Sequence, residues 1–141
     1  MPKEKIIITY GTFDILHYGH IRLLKRAKKL GDKLYVGLST DIFCITQKNK
    51  HPFYGYDFRK EMLEALRYVD KVFPEDTWEQ KIDDIKKYHA DIVVMGSDWA
   101  GSNRFEFLRD YCTLKYLSRT PDISTTEIKE SLGSYSNKVN K

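Results

Sequence analysis

Two histidines three residues apart, His17 and His20, close the stretch T-Y-G-T-F-D-I-L-H-Y-G-H-I-R-L-L that runs from Thr9 to Leu24. Residues three apart share one face of a helix, so both imidazoles can point the same way. Ahead of them come three isoleucines, Ile6 to Ile8, and a short loop holding Gly11, Thr12, Phe13 and Asp14. Strand, glycine loop and helix N-terminus, in that order, build an anion site: unpaired amides and the positive end of the helix dipole face the ligand. Gly19 between the histidines lets a ligand or another backbone approach closely. The chemistry expected is hydrogen-bond donation to the phosphates of a nucleotide. Two alternatives stand beside it. The histidines are ordinary polar residues, or they are a zinc pair, although helical zinc pairs favour i,i+4 and no third ligand accompanies these two.

A second cluster lies far along the chain: Arg119-Thr120-Pro121-Asp122-Ile123-Ser124-Thr125-Thr126, then Glu127. Ser124 and Glu127 have the spacing of a capping box, which helix stability alone accounts for. Three consecutive hydroxyls exceed what a cap needs, and with Arg119 they suit further phosphate oxygens. Lys48 and Lys50 sit in a stretch without clear period. Asp98, after a buried run, is placed to bind a ribose hydroxyl or to cap the next element. Trp78 reads equally as core, and Arg59, Arg67 and Lys81 read equally as helix-surface residues.

The elements that must position these groups follow from periodicity. Continuous apolar runs predict strands at 5–9, 33–39, 70–74, 91–95 and 114–117, buried on both faces as in a parallel sheet. Apolar spacings of three and four predict helices at 18–30, 58–69, 78–89 and 104–111, with a last helix after Ser124. Gly31 is expected to stop the first helix as a C′ glycine. Residues 41–57 read as a long loop with a short helix at 40–43. Strand–helix alternation predicts an α/β fold: a single-domain, Rossmann-like, open and mostly parallel five-stranded sheet with helices on both faces. Its ligand belongs outside the carboxyl ends of the strands, where Thr9–His20, Ser39–Asp41, Gly96–Trp99 and Arg119–Thr126 converge. The domain is expected over 1–132, with 133–141 a disordered polar tail.

Composition sets the limits. A chain of 141 residues suits one domain with a real core. Net charge is +4, from 24 basic and 20 acidic residues, and no dense basic tract interleaved with aromatics points to nucleic acid. The absence of a run of 18 apolar residues argues against a membrane span. Met-Pro-Lys-Glu-Lys leads straight into a strand and does not read as a signal peptide. Cys44 and Cys112, two and far apart, are expected as free thiols of a cytoplasmic protein.

Together, H-Y-G-H and R-T-P-D-I-S-T-T resemble the HxGH and RTxGISTT motifs of the cytidylyltransferase branch of the HxGH nucleotidyltransferase superfamily. Y-G-T-F-D-I-L-H-Y-G-H, W-E-Q-K and V-M-G-S-D-W are most similar to the bacterial glycerol-3-phosphate cytidylyltransferases, and the likeness runs from about Lys5 to Leu132. The resemblance implies CTP and glycerol 3-phosphate as substrates, Mg²⁺ held mainly by the CTP phosphates, a homodimer, and CDP-glycerol as a precursor of teichoic acid or capsule. It implies that Thr12, Phe13, His17 and His20 contact CTP, that Lys50 meets its phosphates and that Lys48 meets glycerol phosphate. Arg119, Thr120, Ile123, Ser124, Thr125 and Thr126 would complete the nucleotide site, with Asp14 and Asp98 at polar positions around it. Trp78, Lys81, Arg59 and Arg67 would line or support the acceptor side. His17, His20, Lys48, Lys50 and Arg119 are the groups expected to carry catalysis. Asp122 stands where the family motif has glycine, and the loop before Lys48 is one residue longer. The alternatives are a cytidylyltransferase for another phosphorylated alcohol, such as a polyol phosphate, phosphoethanolamine or phosphocholine, and a non-catalytic nucleotide-binding regulator.

Overall fold

The computed structural model describes residues 3–118 and Leu132. Five strands, β1 (Ile6–Gly11), β2 (Lys33–Ser39), β3 (Lys71–Glu75), β4 (Ile92–Gly96) and β5 (Thr113–Leu117), form one sheet in the order β3-β2-β1-β4-β5. Every pairing is parallel. The chain therefore winds outward from β1 to β3, crosses back, and winds the other way through β4 and β5. The reversal falls between β1 and β4, the place where a doubly wound sheet opens a crevice at its carboxyl edge.

Alternation along the strands feeds two cores. Ile7, Leu34, Val36, Leu38, Val72, Ile92 and Val94 pack on one face with Leu24 and Ala27 of α1 (Tyr18–Lys28) and Leu63 of α3 (Tyr56–Glu64). Ile6, Ile8, Tyr10, Phe73, Val93 and Met95 pack on the other with Ile85 of α4 (Lys81–Tyr88) and with Phe105 and Leu108. Each fully buried Leu or Ile contributes about 1.5–3 kcal/mol, which is why unbroken apolar runs were sufficient to mark the strands.

The helices differ from the periodicity in instructive ways. α1 ends at Lys28 rather than residue 30, capped by Lys29 in right-handed conformation, and no glycine among the described residues has positive φ. Gly31 is thus not a left-handed C′ residue; a Cβ there would lie 2.8 Å from Ile7 Cδ1 and from Lys5 O, so close approach to β1 is what requires it. The expected loop 41–57 contains a two-turn helix, α2 (Asp41–Gln47), begun by Thr40, whose Oγ1 accepts from the Phe43 amide at 3.2 Å. α4 begins at Lys81, not 78, because Gln80 Oε1 accepts the amides of Asp76 and Thr77 (2.6 and 3.0 Å) and ties residues 76–80 into a turn. The expected helix 104–111 is a 3₁₀ helix at Glu106–Asp110: Phe105 and Leu108 are both buried three residues apart, the spacing a three-residue turn repeats. The predicted helix after Ser124 and the tail fall outside the described residues.

Candidate active site

The loop after β1 is held in a costly shape. Phe13 and Ile15 both have φ of 48°, left-handed conformation that a non-glycine residue adopts at about 1–3 kcal/mol, and least readily when β-branched. Asp14 between them is buried and accepts the amides of Phe53 (2.6 Å) and Tyr54 (3.0 Å), pinning the loop to the segment after α2. Gly11 lets the Phe13 ring fold back on the strand end, since a Cβ would stand 2.8 Å from that ring. There the ring meets His20 edge-on, centroids 5.3 Å apart.

The two histidines form a reciprocal cap. His17 is the N-cap of α1, its Nδ1 accepts the Gly19 amide at 3.0 Å, and His20 Nδ1 accepts the His17 amide at 3.4 Å. This is the geometry of a capping box with imidazoles in place of hydroxyl and carboxylate. The rings stack at 3.8 Å with 22° between their planes. An Nδ1 that accepts from an amide carries a lone pair, so the ring proton of each neutral imidazole lies on Nε2. Helix capping thus places the proton of a neutral ring on Nε2.

Lys48 converges on the same place from the C-cap of α2. Its Nζ donates to Ser39 Oγ (2.9 Å) and Thr12 Oγ1 (3.3 Å), and lies 3.9 Å from Glu75 Oε1. Burial holds its ammonium pKa below the usual lysine range, partly opposed by Glu75. Lys50, two residues on, is exposed.

Arg59 and Lys81, which read as surface residues of helices, are 1% and 0% exposed. Arg59 Nε donates to Tyr54 O (2.8 Å), Nη1 to Thr12 O (2.9 Å) and Ser39 O (2.8 Å), and Nη2 to Asp41 Oδ1 (2.8 Å). It clasps three segments of the site wall through their carbonyls. Lys81 lies 2.7 Å from Glu75 Oε2 with the rings of Tyr10, Trp78 and Phe105 around its ammonium. Burial, then Asp84, pushes the Tyr10 phenol far above its usual pKa, so Tyr10 serves only as a donor, to Asp84 Oδ2 at 2.9 Å. Trp78 is half-buried, edge-on to Phe43, with the Arg104 guanidinium 4.0 Å over its ring. A groove of about 510 Å³ opens beside it, lined by α2 residues and Asp76–Glu79.

Asp98 is exposed on a 3₁₀ turn, Ser97–Trp99, that follows β4 at the same edge of the sheet. Arg67 is not brought to this cluster: it follows α3 and precedes β3, at the amino end of the strands, where Asp70 accepts the Leu34 amide. Arg119, Thr120, Ile123, Ser124, Thr125 and Thr126 lie outside the described residues. Sequence reasoning missed Glu75 and gave Ser39 no role. The available signal was an acidic residue ending a buried strand, opposite the polar end of β2.

A strand–loop–helix at the switch point of a parallel sheet, with two stacked imidazoles capping the helix and a part-buried lysine beside the loop, defines an α/β protein with a polar cluster at the carboxyl edge of its sheet. Residues 8–131 match the cytidylyltransferase-like family, and the chain belongs to it. Among curated relatives it is 56% identical over 128 residues to a glycerol-3-phosphate cytidylyltransferase of Bacillus subtilis (strain 168), covering 91% of this chain and 97% of that protein. It is also 56% identical over 128 residues to a protein of the same name from Staphylococcus aureus (strain NCTC 8325 / PS 47), covering 91% and 95%. A solved structure of a lipopolysaccharide core biosynthesis protein from Thermoplasma volcanium GSS1 shares the fold, with TM-score 0.70 at 24% identity over 84% of this chain and 99% of that one.

Proposed function

We propose that the protein transfers a cytidylyl group from CTP to glycerol 3-phosphate, releasing pyrophosphate and forming CDP-glycerol. The observation that carries the reading is the reciprocal histidine cap, set in a chain 56% identical along nearly its whole length to proteins of that name. The acceptor phosphate is already anionic near neutral pH, so no strong general base is required. One of its oxygens attacks the α-phosphorus of CTP in line, and the bond to the pyrophosphate oxygen breaks. Catalysis is then positioning and charge stabilisation. His17 and His20 donate from Nε2 to phosphate oxygens as charge shifts towards the leaving group. Thr12 and Phe13 hold the nucleotide at the loop, Asp98 the ribose, and Arg119 with Thr120 and Ile123–Thr126 the remaining phosphate oxygens. Lys50 reaches the triphosphate and Lys48 the acceptor phosphate.

Magnesium enters with the nucleotide. Among the described residues no three His, Cys, Asp or Glu side chains converge on one point, and both oxygens of Asp14 accept backbone amides. The fit is therefore to the oxygens of CTP itself, where the ion supplies neutralisation of the pyrophosphate charge.

A polyol acceptor is favoured over an amine. A quaternary or primary ammonium headgroup wants a vacant aromatic face. The Trp78 ring already has Arg104 at 4.0 Å, Lys81 at 5.1 Å and Lys48 at 5.8 Å, which fits a dianionic phosphate on a neutral skeleton. The test is pyrophosphate release with CTP or ATP against glycerol 3-phosphate, another polyol phosphate, phosphoethanolamine and phosphocholine. CTP with glycerol 3-phosphate should be the best pair; turnover with ATP alone, with an amine alone, or with none overturns the reading. By the same likeness the enzyme acts in the cytoplasm as a homodimer, making an activated glycerol phosphate for a teichoic-acid or capsule polymer. Sedimentation equilibrium tests the dimer.

A further inference from the structure

Glu75 is a carboxylate 1% exposed, in none of the roles above, and it ends β3 between two lysines. Its two oxygens do different work. Oε2 faces the Lys81 ammonium at 2.7 Å, and Lys81 is itself fully enclosed, with ring centroids of Tyr10 at 4.4 Å, Trp78 at 5.1 Å and Phe105 at 5.2 Å. A lysine so enclosed does not meet a ligand unless the core opens. It neutralises Glu75 and holds the carboxylate plane. Oε1 accepts the Ser39 hydroxyl at 2.7 Å, and the same hydroxyl oxygen accepts from Lys48 Nζ at 2.9 Å. The proton directions are settled by the partners, because an ammonium only donates and a carboxylate only accepts. Lys48 therefore rests on a hydroxyl, with its Nζ 3.9 Å from Glu75 Oε1, a longer ion-pair contact than the 2.7 Å one Lys81 makes.

We propose that Glu75 is a positioning residue for Lys48, acting through Ser39 to hold its ammonium beside Thr12 at the mouth of the site, while Lys81 takes the closer ion pair and leaves Lys48 the longer one. The arrangement suits a lysine that must meet an incoming phosphate. A direct buried ion pair would have to be broken on substrate binding, at several kcal/mol. A shared hydroxyl and an offset carboxylate keep the ammonium charged and aimed, yet give it up at little cost. Glu75 also opposes the burial that depresses the Lys48 pKa. The charged and titratable groups facing that ammonium are Glu75 from β3, Lys81 from α4, Cys44 from α2 and Lys50 from its own loop, and Lys81 and Lys50 both depress it further.

The proposal rests on Lys48 meeting the acceptor phosphate, and the test separates the two ideas. Ser39→Ala removes the relay and leaves the Glu75–Lys81 pair intact. It should raise the KM for glycerol 3-phosphate about tenfold, the value of one hydrogen bond to a charged group, with kcat within about threefold of wild type. Glu75→Gln with Lys81→Met replaces the buried pair by neutral groups, a change buried pairs often tolerate. In that double variant the Lys48 ¹³Cε resonance, identified by its loss in Lys48→Met and followed without substrate, should titrate at lower pH than in wild type, because the lost influence of Glu75 on that ammonium is larger than the opposing one of Lys81. The alkaline limb of kcat/KM should move with it. A merely structural Glu75 would leave both where they are, and an unmoved titration in the folded double variant overturns the proposal. If the double variant does not fold, Ser39→Ala decides: a wild-type KM there also overturns it. A wild-type protein with no CTP turnover would refute the proposed reaction, while the Lys48 titration still reports on Glu75.

Discussion

Arg59→Lys keeps the charge at the centre of the site wall and removes the fork. The guanidinium reaches four acceptors from three nitrogens at 2.8–2.9 Å: the carbonyls of Tyr54, Thr12 and Ser39, and Asp41 Oδ1. A lysine presents one nitrogen on a longer stem and cannot span acceptors on opposite sides of a planar fork. At least two carbonyls would then lack their partner, the Ser39 carbonyl in a buried place and those of Thr12 and Tyr54 in part-buried ones. Each unsatisfied buried acceptor costs about 1–3 kcal/mol, so the substitution should destabilise by about 2–5 kcal/mol against a total of about 5–15 kcal/mol. Asp41 adds little, because its side chain is 46% exposed and rehydrates. In urea, with a slope of about 2 kcal/mol/M, the midpoint should fall by about 1–2.5 M. Since Thr12 O and Tyr54 O belong to the two segments that frame the nucleotide loop, the folded fraction should also show a raised KM for CTP. A midpoint shift under about 0.2 M would show that those four bonds do not hold the wall, and the clasp would have to be abandoned.

Three further substitutions probe other parts of the site. His17→Asn keeps a side-chain acceptor for the helix cap and loses the Nε2 donor, so kcat should drop about 10²–10³-fold with the melting temperature little changed, whereas His17→Ala should also lose about 1 kcal/mol of cap stability; near-normal turnover in His17→Asn would remove the histidine from the reaction. Lys50→Ala should weaken CTP use in steady-state assays without altering the urea midpoint, because the residue is exposed; unchanged kinetics would take it out of the site. At Asp70, burial pulls the carboxyl pKa upward, but hydrogen bonds from Lys28 and the Leu34 amide outweigh it and the pKa is lowered. A lowered folded pKa gives stability that is present above the unfolded value of about 3.9 and lost as pH falls through the folded one. Asp70→Asn should therefore be less stable than wild type at pH 7, with the gap closing in thermal melts taken at progressively more acid pH; a gap constant with pH would contradict the linkage.

The strands were legible because a sheet buried on both faces leaves no polar position to interrupt the run, as in Ile6–Ile8 or Ile92–Met95. Helix ends were less so. What ended or began them was a tertiary event or a side chain acting on backbone: the packing of Gly31 on β1, and the Gln80 amide tying residues 76–80. His17 and His20 were legible as a pair sharing one face at the start of a helix, but their spacing says nothing about which nitrogen caps the helix. Arg59 and Lys81 were read as solvent-facing for a reason that is general. A charged residue at helical spacing carries no mark of burial; that depends on a partner elsewhere in the chain, here Ser39, Asp41 or Glu75.

The two halves of the site are stiffened by different means, and the difference bears on how it works. On the histidine side each ring accepts a backbone amide at Nδ1, so the same bonds that start α1 also orient the two rings. Structure and chemistry cannot be varied separately there, except by a residue that caps and does not donate. On the lysine side the burden is divided: Arg59 fixes the wall, Lys81 and Glu75 form the buried pair, and Lys48 alone stays within reach of solvent, 17% exposed. The Lys81 charge is fully enclosed and satisfied, while the Lys48 charge, proposed above to meet the acceptor phosphate, rests on the hydroxyls of Ser39 and Thr12. A site organised this way loses stability when Arg59 or Lys81 is changed alone and loses acceptor binding when Ser39 is changed, and that separation of phenotypes distinguishes it from a cluster of equivalent surface cations.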